Sequence, residues 1–106
     1  MFHFAQDKSN TIEFLKSELM QLLFDMRQEI AASRQAQTGT ACHRIEHCMK
    51  KIQRAKSSVA IALPIKSLDL EITALVRKQL LILPPKAQKI WDQIKYLDDT
   101  YFHLRS

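Results

Sequence analysis

The chain has little of what makes tight turns. Its 106 residues include one glycine and three prolines, too few for the hairpins of a many-stranded sheet, so an all-α fold is favoured. Crosslinking is equally scarce. Cys42 and Cys48, the two cysteines, are six residues apart on a stretch of helical period, about 9 Å of rise, beyond the Cα separation that a disulfide tolerates. Both are expected to be free thiols, Cys48 in the core and Cys42 on its flank, which suits a reducing compartment. Long apolar runs are missing too. Residues 59–64 and 80–85 fall far short of the roughly 18 residues of a membrane span, and the first ten residues lack the basic start, apolar run and cleavage site of a secretion signal. A cytoplasmic protein with no membrane partner is expected.

What is present fits one compact bundle. The length suits a single domain, and an apolar share of 46% is enough for one core. Residues 1–9, with Phe2 and Phe4, are read as an arm. Asn10 with Glu13 has the form of a helix cap and its reciprocal partner, and Ile12, Leu15, Leu19, Leu22 and Met26 then repeat in steps of three and four, widened by Leu23 and Ile30. A first helix is predicted over about 10–35, ended by Gly39. Thr40 caps a second over 40–63, broken at Pro64. Ser67, followed by Asp69 and Glu71, caps a third over 67–83, with a core face of Leu68, Ile72, Leu75 or Val76, and Ile82 or Leu83. Pro84 and Pro85 separate it from a fourth over 85–104, whose seam is Ala87, Ile90, Trp91, Ile94, Leu97, Tyr101 and Leu104. Two helical hairpins forming a four-helix bundle over 10–106 are expected; the alternative is three helices, the second running on through a kink at Pro64.

The second helix has two opposed faces. Ala41, Ile45, Cys48, Ile52, Ala55, Val59 and Ala62 keep a four-and-three spacing that makes a packing seam. His43, His47, Lys50, Lys51, Arg54 and Ser58 fall on the other side without an acidic residue among them. Charge is gathered here. Of the net charge of +5, residues 36–62 carry five cations against one anion, whereas 1–35 carry four against five. A basic excess on one helix face is a footprint for phosphate or for an acidic partner, and otherwise it is a solvated face.

Reactive motifs are weaker. His43-Arg44-Ile45-Glu46-His47 has the form H-x-x-E-H, two histidines one turn apart with a carboxylate between, but Asp92, Asp98 and Asp99 supply no recognisable third ligand. A zinc held by His43 and His47 with Cys42, or with a group from another chain, is the smaller alternative to two exposed histidines. A phosphotransfer role for His43 lacks the basic residue and small glycine that such modules place after their histidine. No catalytic residue, metal or cofactor is expected, and the chain is not read as an enzyme.

Lys50, Lys51, Arg54 and a histidine can hold a nucleic-acid backbone, DNA or RNA, without reading its sequence, although the stripe has no aromatic residue to stack a base. Small basic helical bundles occur as accessory subunits along nucleic acid in larger machines, among them the small subunits of CRISPR effector complexes; this likeness is one of class and rests on no motif. The alternative is a protein-interaction module such as an adaptor, inhibitor or chaperone. It would use the back of the first helix, where Phe14 and Phe24, with Met20 on the flank, lie off the core seam and are expected to meet another subunit or a second copy.

Overall fold

A computed structural model of the chain describes residues 4–101, with side chains from Ile12 to Tyr101. It has four helices: α1 (Phe4–Ser33), α2 (Thr38–Arg54), α3 (Ser58–Arg77) and α4 (Pro85–Tyr101). With no strand among the described residues, the fold is an all-α bundle of two helical hairpins. α1 packs along both α2 and α4, α2 also packs along α3, and α3 and α4 touch more lightly. Connections of a few residues force each helix to run antiparallel to the one before it. Two tertiary clamps mark the ends. At one end, the Gln35 amide after α1 accepts from the Ile82 backbone N–H at 2.8 Å and donates to the Ile82 carbonyl at 2.6 Å, pairing with that extended segment as a neighbouring strand would. At the other end, Lys16 Nζ donates to the carbonyl of Ala55 at 2.7 Å.

Each helix turns one apolar stripe into a common core. Leu15, Leu19, Leu23, Met26 and Ile30 are buried on α1; Ala41, Ile45, Cys48 and Ile52 on α2; Ile61, Ile65, Leu68 and Ile72 on α3; Ala87, Trp91 and Ile94 on α4. Leu22 lies at the edge of the α1 seam and Leu23 at its centre, because the stripe is tilted by one position from the spacing read in the sequence. From the connection between α3 and α4, Leu81 enters the core, while Ile82 stays exposed and Leu83 half-buried. Of Leu75 and Val76, Leu75 packs against the core and Val76 is exposed; Tyr101 is also exposed, against the seam predicted for it. Leu104 and Phe2 lie outside the described residues.

Several boundaries differ from the periodicity. Asn10 is inside α1 and begins no helix; the segment from Phe4 is helical, against the arm expected over residues 1–9. α1 ends at Ser33, where Arg34 takes a left-handed φ of 51°, and Gly39 sits within α2. The turn is held by side chains in place of glycine: the Gln35 N–H donates to Thr38 Oγ1 at 2.7 Å and the Thr38 N–H returns to the Gln35 carbonyl at 3.1 Å. Thr40 is therefore the third residue of α2 and does not cap it.

The largest correction falls between α2 and α3. The second helix stops at Arg54, Ala55 turns extended, and Ser57 caps α3 by accepting from the Ala60 N–H at 3.2 Å. The helix that follows passes through Pro64, although proline removes the bond to the carbonyl four residues back and costs roughly 3 kcal/mol inside a helix. Burial outweighs that loss. Ile61 and Ile65 flank the proline, Leu68 and Ile72 follow on the same side, and all four are fully buried, each contributing about 1.5–3 kcal/mol. Ser67 consequently lies in the middle of α3 and caps nothing.

Candidate nucleic-acid interface

The basic face is built on α2 because Ala41, Ile45, Cys48 and Ile52 fix that helix's other side in the core. His43, His47, Lys50, Lys51 and Arg54 are all exposed as a result. At 100° per residue, four of them fall within an arc of about 60°, with Lys51 about 40° beyond it. Ser58 does not join them. It is the first residue of α3, displaced from the α2 face by the break at residues 55–57.

Nearby acidic groups are already engaged. Glu46 pairs with the Arg27 guanidinium of α1, and Glu71 of α3 lies 3.3 Å from Arg44. Among the described residues, Lys50, Lys51 and Arg54 form no ion pair. Their field is therefore directed outward and little neutralised at short range. Lys56, exposed just past the end of α2, adds a cation that the sequence reading passed over, because a continuous helix would have turned it off the stripe. Lys16 was also missed. Its Nζ, on a side chain only 12% exposed, donates to the carbonyls of Ala55 and of Gln53, the latter at 3.3 Å, and so closes the end of the helix that presents Lys51 and Arg54.

No family model, curated protein or solved structure matches this chain.

The two histidines lie one turn apart, but Cys42 does not turn toward them. It is buried, and its thiol points at the Arg27 carbonyl, 3.7 Å away. Among the described residues no group of three or more His, Cys, Asp or Glu side chains is arranged to hold a metal ion. Burial pushes the Cys42 thiol above its ordinary pKa, Arg27 opposing and Glu46 reinforcing the shift. For Cys48, deeper in the core, burial with the added effect of Glu71 raises it to about 12. Both thiols are thus held protonated, with little nucleophilic character.

On α1, Phe14 is 63% exposed and Phe24 45% exposed, while Met20 is partly buried against the core. The two rings do not form one patch. They are ten residues apart and about 80° apart around the helix, with Ser17 and Gln21 exposed between them. Among the described residues no helix is long and apolar enough to cross a membrane.

Proposed function

We propose that this protein is a small, non-enzymatic, basic helical subunit that holds a nucleic-acid backbone along α2 within a larger assembly, in the manner of accessory subunits of nucleic-acid-processing or CRISPR-type effector complexes. One observation carries the reading: Lys50, Lys51 and Arg54 project from one helix face while the neighbouring carboxylates, Glu46 and Glu71, are paired with other cations. Cations free of internal partners can replace the counterions of a phosphate chain, and this binding is independent of base sequence. His43 and His47 lie along the same face and extend its reach toward the start of α2. The free, protonated thiols suit a cytoplasmic location.

The test is a titration with single- and double-stranded DNA and RNA at two salt concentrations. Micromolar or tighter binding that weakens with salt is expected, and it is lost when Lys50, Lys51 and Arg54 are all changed to glutamate. Each contact removed singly flattens the log-log salt slope by about one unit. All three side chains are exposed, so the variant keeps its helix content by circular dichroism. Equal affinity in wild type and triple variant, or no binding by either, would overturn the proposal.

A further inference from the structure

The bridge between Arg27 and Glu46 fixes how an exposed ring of α1 stands against the basic stripe of α2. On α1, Arg27 and Lys16 mark the side that faces α2, the one pairing with Glu46 and the other donating to the Ala55 carbonyl. Phe24 lies about 60° and 80° farther round the helix from these two, away from the core seam, and 45% of its surface is open. Phe14 is about 140–160° from both and belongs to the opposite flank. On α2, Glu46 and Cys42 mark the side that faces α1, since the Cys42 thiol points at the Arg27 carbonyl. Lys50 lies about 40° beyond Glu46, again away from the core, and is exposed. The ring and the ammonium group therefore open on the same outer face of the α1–α2 pair.

Their levels match as well. Phe24 is three residues before Arg27 and Lys50 four residues after Glu46, and because α1 and α2 are antiparallel both steps run the same way from the bridge, by about 4.5 and 6 Å. Packed helices lie about 8–10 Å apart, a gap that one nucleotide spans from its base to its phosphate. The carboxylate between them, Glu46, is taken up by Arg27, and Lys50 forms no ion pair among the described residues. The stripe of α2 has no aromatic residue of its own; the packing lends it one from the neighbouring helix. We infer that Phe24 stacks an unpaired base of the strand whose phosphates lie along α2, which makes the ligand single-stranded DNA or RNA. This role for Phe24 rests on the proposed function above and adds to it the class of strand. Bases inside a duplex are already stacked on one another, whereas a single strand splays its bases out, and each has a face for an aromatic ring whatever the sequence. A protein partner fits the ring poorly. Ser17, Gln21 and Gln28, exposed on the turns around it, are polar, and one ring falls far short of the roughly 800 Å² that each side of a standard protein interface buries.

Fluorescence anisotropy tests it with a labelled oligothymidylate, the same chain made abasic, and a duplex of equal length, in DNA and RNA forms. The full chain is expected to bind the oligothymidylate more tightly than either of the others. Phe24→Leu keeps an apolar side chain and removes the ring; it should weaken binding of the oligothymidylate about fivefold or more and leave the abasic chain and the duplex unchanged. The log-log salt slope should stay the same, because no phosphate contact is lost. Phe24→Trp should restore the affinity, and a 2-aminopurine base in the strand should be quenched by the wild type and not by Phe24→Leu. The ring is nearly half exposed, so the leucine variant stays folded, and circular dichroism verifies this. Unchanged affinity of Phe24→Leu for single strands, where binding still needs Lys50, Lys51 and Arg54, would overturn the stacking role and leave the proposed function standing. Equal or tighter binding of the duplex by the wild type would do the same, as would a shift in sedimentation caused by Phe24→Leu with no loss of strand binding. Absence of binding to every one of these nucleic acids would overturn both.

Discussion

Replacing Lys16 with methionine removes one ammonium group and keeps most of the stem that packs beneath the end of α2. The Nζ–Ala55 carbonyl bond at 2.7 Å is short, partly buried and charge-assisted, a class that contributes about 1.5–3 kcal/mol. The bond to Gln53 is longer and exposed, so water replaces it at little cost. A cation at the negative end of the helix dipole adds about 0.3–1 kcal/mol. The pair with Glu13 adds little, because that carboxylate is 70% exposed. Together these give a loss of about 2–4 kcal/mol, or roughly 10 °C or more in Tm for a chain of this size. Urea unfolding at neutral pH measures it as a lower midpoint with an unchanged slope. Hydrogen exchange supplies the local readout, since the amides of the last turn of α2 should lose protection before those of Ala41 and Ile45. A loss below about 0.5 kcal/mol with exchange unaltered would refute the role given to Lys16.

Gly39 lies in the first turn of α2 without a positive φ, and a Cβ there would meet nothing within 4 Å; Gly39→Ala should therefore stabilise the protein by about 0.5–1 kcal/mol, and a lower urea midpoint would contradict a helical backbone at that position. Cys42 and Cys48 should resist a thiol-reactive dye at pH 8 and react fully in urea, because both are buried and held protonated. Cys48 also gives a pH signature. In the unfolded chain its thiol ionises from about pH 9 and in the folded protein only near 12, so its contribution to stability is complete below 9 and declines as pH rises toward 12. Urea midpoints taken between pH 8 and 10 should fall, and the fall should be shallower in Cys48→Ala.

The bundle was legible in the sequence because three-and-four spacing survives wherever one helix face meets the core. Pro85 as the start of α4 matches the signal there. The break at 55–57 was hidden by the same spacing. Ile52 and Ala62 are both buried, on either side of a three-residue gap that advances the count without disturbing it; Ala55 within the gap is buried as well, and Val59 just beyond it is exposed. Ser57 was the available sign, a capping residue just ahead of an apolar run, but Pro64 drew the boundary to itself. Proline reads as a stop when its neighbours have nothing to gain from a helix, and here Ile61 and Ile65 gain their burial. The cations of α2 could be placed from the wheel alone. Their lack of ion pairs among the described residues could not, because it depends on Arg27 and Arg44 reaching Glu46 and Glu71 across helix boundaries.

Lys51 and Arg54 occupy the last turn of α2, which is the pole where the peptide carbonyls converge and where Lys16 is already bound to two of them. The free amides of α2 are at the opposite end of the helix, so an anion arriving here is not seated by α2's own backbone; the helix start nearest in the chain is that of α3, at Ser58. Whatever charge this end holds is held at the tips of long, rotatable side chains, over a backbone pole that repels it. The attachment proposed for a phosphate backbone would, at such side chains, have no fixed register and would tolerate displacement by several ångströms.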